Sequence, residues 1–214
     1  HTQKSDYQEM LVFDSYQYGK VMVLDDIIML TEKDEFIYHE MITHLPLYTH
    51  PNPKKVLIIG GGDGGTLREV VKHTCVEEAV LVEIDQMVLD VSRKYFPEVA
   101  IGLDSPKAKI RIEDGIKFVK ETQEKFDLVI IDSTDPIGPA VGLFHKDFYT
   151  ACFNCLNNDG LLVCQSETPF LKEQAQYVKD IHHSLKQIFP FVQLYLSYIP
   201  MYPSGAWGLT LASK

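Results

Sequence analysis

Positive charge is scarce in this sequence: 20 lysines and arginines stand against 30 aspartates and glutamates, a formal net charge of −10. Binding a phosphate backbone needs a basic footprint, so no nucleic-acid partner is expected. An acidic surface instead favours the approach of a small cationic molecule. Cysteine is scarce as well, with four in 214 residues. Cys152 and Cys155 are spaced C-x-x-C within a helical pattern, with no second pair to complete a zinc site, and reduced, buried thiols are expected. His39-Glu40 followed by His44 approaches a metalloprotease helix, yet these histidines lie about 140° apart around a helix rather than on one face. No metal is expected. Long apolar runs are missing, so no bilayer-spanning helix and no membrane partner are expected. His1–Asp6 lacks the apolar core of a signal peptide, which makes the cytoplasm the expected compartment.

Hydrophobic residues make up 45% of the chain, enough for a substantial core. Three short apolar runs come first, Met10–Phe13, Val21–Leu24 and Ile27–Leu30, separated by turn residues. They predict a small antiparallel unit over 1–30 that must pack on the rest of the chain. Thr31-x-x-Asp34 offers N-cap chemistry for a helix whose apolar positions are Phe36, Met41, Ile42 and Leu45. His50–Pro53 reads as a linker. From Lys55 the pattern becomes apolar strand, glycine or acid, amphipathic helix, repeated. Strands are expected at 56–59, 79–83, 109–112, 128–131 and 161–165, then a helix carrying Leu171, Ala175, Val178, Leu185 and Phe189. Such alternation indicates a parallel sheet covered on both faces. The last two strands, 192–198 and 209–212, have no helix between them and read as an antiparallel pair. The fold class is therefore α/β, with 31–214 as one Rossmann-like domain behind the β-rich unit.

Gly60-Gly61-Gly62-Asp63-Gly64-Gly65 follows the first strand of this series and opens a helix, and Glu83 ends the next strand. In that context the loop predicts nucleoside binding: glycines let the ligand approach the backbone, and Glu83 can accept ribose hydroxyls. Asp63 would repel a pyrophosphate and attract a cation, so an adenosine carrying positive charge fits better than a dinucleotide. Asp63 can equally cap the helix behind it. Asp114-Gly115 follows the third strand; the acid can accept an adenine amine or serve as another N-cap. Ile130-Ile131-Asp132-Ser133-Thr134-Asp135-Pro136 brings two aspartates to a strand's carboxyl end, where ligands sit in open α/β sheets. The loop 137–142 behind them reads as a lid. Asp135 before Pro136 also suits an Asx turn, whereas Asp132 at the end of an apolar run does not. Asp63, Glu83, Asp114, Asp132 and Asp135, with Glu167, make a cluster of like charge that is costly without a compensating cation.

Taken together, these stretches resemble the spermidine synthase family over nearly the whole chain. Tyr7-Gln8, Tyr18-Gly19-x-Val21, Glu35-Phe36-x-Tyr38-His39-Glu40-Met41, the glycine loop, Glu83-Ile84-Asp85, Asp114-Gly115, Asp132 to Pro139 and Tyr202-Pro203-Ser204-Gly205 carry the likeness. The resemblance implies a methyltransferase-like Rossmann domain behind a β-rich N-terminal domain, in a homodimer or homotetramer. It implies transfer of an aminopropyl group from decarboxylated S-adenosylmethionine, a co-substrate, to a diamine such as putrescine, with no cofactor. Gln8 would touch the methylthioadenosine part, Asp63 the aminopropyl ammonium, Glu83 the ribose, and Asp114, Gly115 and Pro139 the adenine. Tyr38, His39 and Asp135 would line the diamine site, Ser133, Thr134 and Tyr202 would also bind substrate, and Asp132 would accept the proton.

The chain departs from the pattern in three places. It begins just before Tyr7, so part of the N-terminal domain is expected to be missing; Phe170 stands where many relatives have tryptophan; and Met29 replaces a polar residue of some relatives. The last two leave agmatine, cadaverine and spermidine open as acceptors. An ordinary methyltransferase is disfavoured because its donor keeps a carboxylate that Asp63 and Asp132 would repel. A non-catalytic polyamine-binding protein is disfavoured by the retention of every motif acid.

Overall fold

The computed structural model describes residues 1–135 and 138–214; at 138 and 139 it describes the backbone course alone. Four antiparallel strands come first, β1 (Thr2–Lys4), β2 (Glu9–Ser15), β3 (Gly19–Leu24) and β4 (Ile27–Thr31), hydrogen-bonded in that order. Period-two alternation sorts β2: Met10 and Val12 turn inward, while Leu11 and Phe13 are 39% and 42% exposed. The inward set, with Met22, Leu24 and Leu30, packs on Met87, Val88 and Val91 of helix α3 (Gln86–Tyr95), on Val99 of helix α4 (Pro97–Ala100) and on Phe96 between them. The small sheet thus closes its core against the larger domain, as a unit of this size must.

The helix expected from Thr31 begins later, as α1 (Glu35–Thr49). The Thr31 hydroxyl donates to Asp34 Oδ1 at 2.6 Å, and Asp34 Oδ2 accepts the Met201 N–H at 3.0 Å. The would-be capping acid is held by a chain segment 167 residues away. Phe36, assigned to the apolar face, is 46% exposed; Tyr38, His39, Ile42 and Leu47 are buried instead.

The main sheet has seven strands in the order β10-β11-β9-β8-β5-β6-β7. They are β5 (Lys55–Gly60), β6 (Glu78–Glu83), β7 (Ala108–Ile112), β8 (Phe126–Asp132), β9 (Leu156–Gln165), β10 (Phe191–Ser197) and β11 (Trp207–Ser213). The first five are mutually parallel, and β11 runs antiparallel between β9 and β10. The expected alternation is therefore present, with each of the five parallel strands longer than expected and β10 shifted by one residue from 192–198. Helix α2 (Gly65–Lys72) packs with α1, and α5 (Gly115–Glu121), α6 (Lys146–Cys155) and α7 (Gln174–Lys186) complete the two covering layers. One core lies on each face: Val56, Ile58, Leu81 and Ile130 with α1 and α2 on one, Leu57, Val80, Val129 and Leu162 with α5, α6 and α7 on the other. Cys152, Cys155 and Cys164 are buried free thiols. From β5 the chain moves outward through β6 and β7, then returns to place β8 on the other side of β5. This reversal opens a crevice at the carboxyl ends of β5 and β8, where Gly60 pairs in register with Asp132. Among the described residues, no helix is long and apolar enough to cross a membrane.

Candidate active site

Asp132 ends β8 inside that crevice and is 9% exposed. Its Oδ1 accepts the Tyr38 hydroxyl at 2.7 Å and its Oδ2 accepts the Thr66 hydroxyl at 2.6 Å. Burial foremost, then the charge of Asp63, pushes its carboxyl above the usual range against the opposing pull of His39, Thr66 and Tyr38. A basic carboxylate held by two hydroxyls suits proton acceptance. Tyr38 itself stays a neutral donor, since burial and the Asp132 charge hold its phenol well above the ordinary value. Gly61 must be glycine for this geometry: with φ at +65°, a Cβ there would stand 2.7 Å from Asp132 Oδ2.

Asp63 makes two contacts through one oxygen. Oδ1 accepts the Gly65 N–H at 2.7 Å, so the capping role is present, and lies 3.3 Å from His39 Nε2. Burial opposes its ionisation, but His39, the Gly65 amide and Arg68 outweigh it and hold the acid below the usual range. His39 Nδ1 meets Glu35 Oε2 at 2.5 Å, and Glu35 receives both terminal nitrogens of Arg68 at 2.8 and 3.0 Å. Although burial disfavours its charge, the two carboxylates raise the imidazole to about 10. An imidazolium therefore stands between Asp63 and Glu35.

Glu83 closes the crevice from β6. Its Oε2 accepts the Gly62 N–H at 3.2 Å and its Oε1 the Asp85 N–H at 3.0 Å. Burial raises it to about 7 despite these donors. Asp114 caps α5 through Oδ1, which accepts Ile116 N at 2.7 Å; the residue is exposed at the rim.

Two cavities meet here. The first, about 150 Å³, is lined by Gln8, Tyr38, His39, Asp63, Glu83, Asp114, Gly115, Asp132, Ser133, Thr134 and Tyr202, with Met22, Leu24 and Val88 supplying apolar wall. Among the described site residues expected from the sequence, it gathers all except Asp135. The second is an open cleft of about 560 Å³ that shares Met29, Tyr38, Ser133, Thr134 and Tyr202 with the first and adds Asp135, Gln165, Glu167 and Trp207. Burial, then the neighbouring Asp135, raises Glu167 to about 8, and burial raises Asp135 too. Such a carboxyl pair holds either a shared proton or a cation. The buried Ser133 hydroxyl has no hydrogen-bond partner among the described residues. Pro136 and Ile137, and the side chain of Pro139, fall outside the described residues. Ala140, within the expected lid, and Leu143, just past it, line the first cavity. Phe170 is 62% exposed and does not line the second cleft, so its exchange for tryptophan leaves that wall untouched. Met29 lines both cavities, and its carbonyl accepts the Tyr202 hydroxyl at 2.7 Å.

Two clusters elsewhere have metal-ligating residue types, Glu40–His44–Glu69 and His50–Asp127–Asp159. Glu69 is already compensated by Arg68 at 2.7 Å and Lys72 at 2.6 Å. His50 Nδ1 accepts the Asn52 N–H at 3.1 Å, so a neutral ring carries its proton on Nε2, the nitrogen facing Asp159, and cannot ligate there. The first is an ion-pair cluster; in the second, Asp127 is taken up by the Lys54 and Lys55 N–H groups at 2.8 and 2.9 Å.

Comparison with known proteins decides the family. Residues 35–214 match the spermine/spermidine synthase domain, and residues 1–32 match the spermidine synthase tetramerisation domain. The chain belongs to the spermine/spermidine synthase family. It is 52% identical to the polyamine aminopropyltransferase of Caldicellulosiruptor saccharolyticus over its full length and 76% of that protein. The counterpart in Clostridium kluyveri is likewise 52% identical, with 77% of its length covered. Among solved structures, a spermidine synthase in complex with the transition-state analogue AdoDATO superposes with a TM-score of 0.97 at 46% identity, covering all of this chain and 73% of that one. Spermidine synthase from Thermotoga maritima gives 0.93 at 44% identity, with 71% of its chain covered. As a member of the spermine/spermidine synthase family the chain is a transferase of polyamine biosynthesis, and it carries an oligomerisation domain in β1–β4.

Several residues of this site escape sequence reading. Thr66, the second oxygen's partner on Asp132, is one of many helix-opening threonines until the register with β8 is known. Glu35 was within reach, because it stands four residues before His39 on one helix face. Arg68 acts across 33 residues of chain and leaves no local signal, and Asp85, quoted within a motif, shows nothing there of its reach to Gln8 across 77 residues.

Proposed function

We propose that this transferase moves the aminopropyl group of decarboxylated S-adenosylmethionine to putrescine, giving spermidine and methylthioadenosine. The observation that carries the reading is a buried, hydroxyl-held carboxylate, Asp132, standing where a glycine-loop cavity and an acid-lined cleft meet. The donor's adenosine occupies the first cavity, ribose on Glu83, adenine toward Asp114 and Gly115, aminopropyl ammonium on Asp63. The diamine enters the second cleft, its far ammonium on the Asp135–Glu167 pair and its near nitrogen beside Tyr38 and Asp132. An alkyl ammonium has a pKa near 10 and must lose a proton before it attacks. Asp132 takes that proton. The nitrogen lone pair forms the new N–C bond, the C–S bond breaks, and its electrons stay on sulfur, which becomes a neutral thioether. The leaving group needs no acid. Holding both ends of the aminopropyl chain and of the diamine supplies alignment, worth orders of magnitude in rate. In this reading residues 31–214 carry the chemistry, and 1–30 assemble copies of the chain.

The second cleft, at about 560 Å³ against about 150 Å³ for the first, has room to spare, which supports a second reading with a longer acceptor such as spermidine. One experiment separates the two. The protein is incubated with decarboxylated S-adenosylmethionine and, in turn, putrescine, cadaverine, agmatine and spermidine, with products identified by mass. The highest kcat/KM is expected for putrescine. A tenfold advantage for another amine would replace the acceptor and keep the reaction; no product with any amine would overturn the reaction itself.

A further inference from the structure

Asp85 lies two residues past Glu83, at the start of α3, and its two carboxylate oxygens have separate duties. Oδ1 accepts the Met87 N–H at 3.0 Å and caps the helix. Oδ2 accepts the Ser5 hydroxyl at 2.7 Å and the Gln8 side-chain amide nitrogen at 2.9 Å, both from the turn between β1 and β2. The Ser5 oxygen in turn accepts the Tyr7 and Gln8 N–H groups at 3.1 and 3.2 Å, so the whole turn is tied to this one acid. Through its own N–H, Asp85 also donates to Glu83 Oε1 at 3.0 Å.

Donor and acceptor chemistry sets the direction of the Gln8 amide. A carboxylate can only accept, so Nε2 must face Asp85, and Oε1 is the atom left for the cavity that Gln8 lines. Among the described residues, Oε1 has no partner of its own. Gln8 thereby offers an acceptor beside Glu83, a matched pair for a ligand group that donates, such as a ribose hydroxyl.

We propose that Asp85 is a positioning residue of the donor site: it holds the turn 5–8 over the nucleoside and fixes the Gln8 amide with its oxygen toward the ligand. The proposal rests on the first cavity being the donor site. It separates Asp85 from Glu83, which touches the ligand directly, and it makes the N-terminal sheet a contributor to donor affinity as well as to assembly.

The test is a polarity swap read by calorimetry with methylthioadenosine. Asp85→Asn is nearly isosteric and keeps a good N-cap, but it sets a donor against the Gln8 amide and forces that amide to turn. Binding is expected to weaken about tenfold, the size of one lost hydrogen bond in a buried site. Gln8→Glu places a carboxylate against Asp85 and is expected to weaken binding at least as much. In the D85N/Q8E double variant the amide at 85 donates to the carboxylate at 8, whose second oxygen still accepts from the ligand. Affinity should return to within about threefold of wild type, a recovery no general loss of packing would give. Additive losses in the double variant, or wild-type affinity in D85N, would overturn the role of Asp85 while leaving the donor site standing. If D85N proves too unstable to measure, Gln8→Ala and Ser5→Ala serve: loss with Q8A and a smaller loss with S5A support the tether, and no loss with either overturns it. Wild-type protein that fails to bind methylthioadenosine would remove the donor-site reading and this proposal together.

Discussion

Replacing Asp132 with asparagine isolates its chemistry from its architecture. The amide retains one oxygen for either the Tyr38 or the Thr66 hydroxyl, now 2.7 and 2.6 Å from the two carboxylate oxygens, and the other hydroxyl can rotate to accept from the new NH₂. The local hydrogen-bond count therefore survives. Stability should not fall, and the sign follows from linkage. A carboxyl raised in the folded state binds its proton more tightly there than in the unfolded chain. Its stabilising share is whole below the unfolded value of 3.8 and is lost as pH rises through the folded value. Above that folded value the ionised, buried acid is thus a burden that asparagine removes. What the variant loses is proton acceptance, and removal of a general base typically costs about 10²–10⁴ in rate. That range is about 2.7–5.4 kcal/mol of barrier. Turnover is followed by methylthioadenosine release across pH, with binding of methylthioadenosine measured separately. We expect kcat to fall by at least two decades, affinity to stay near wild type, and the acid limb of the wild-type pH profile to disappear. A variant that keeps more than half of the wild-type rate would refute Asp132 as the base.

Three further outcomes follow from the same geometry. Asp63→Asn should weaken decarboxylated S-adenosylmethionine more than methylthioadenosine, which has no ammonium; equal losses by calorimetry would leave Asp63 as a cap of α2 alone. Gly65→Ala should fold yet lose activity, because the new Cβ would stand 2.3 Å from the His39 ring and push the imidazole off Asp63; relief of such overpacking costs about 1–3 kcal/mol, read as a lowered Tm. The His39 imidazole, raised to about 10 from 6.5, contributes stability that is whole below pH 6.5 and is lost as pH rises through 10. Thermal melts between pH 7 and 10.5 should show that decline in wild type and a flatter profile in His39→Gln, and parallel profiles would remove the charge from His39.

The parallel sheet was legible because strands buried on both faces must be apolar throughout, and helices between them must alternate. Asp132 was legible for the complementary reason: a charged residue ending an apolar run has to be needed there. β1 was not, since Thr2–Lys4 carries no apolar residue and is held by main-chain pairing to β2. The start of α1 was misread because Asp34 answers to Met201, a partner that local capping rules cannot see. Phe36 was misplaced for a related reason. The inner face of α1 is filled by Tyr38 and His39, polar-tipped residues that a purely apolar count passes over. The charged chain from Asp63 through His39 and Glu35 to Arg68 was invisible in the same way, its members joined across α1 and α2.

The two cavities differ in what builds their walls. The first is cut into the ends of β5, β6 and β8, whose positions are set by the sheet's hydrogen bonds and cannot shift without disturbing the core. The second takes much of its lining from two segments far apart in sequence, Asp26–Met29 on one side and Met201–Trp207 on the other, fastened together where Tyr202 meets Met29 and Met201 meets Asp34. Insertions or exchanges in those peripheral segments can lengthen, narrow or re-charge the cleft while the strand-end acids stay in register. A lineage built on this frame can diversify along one axis alone, keeping a single reactive centre and trading the guests it admits.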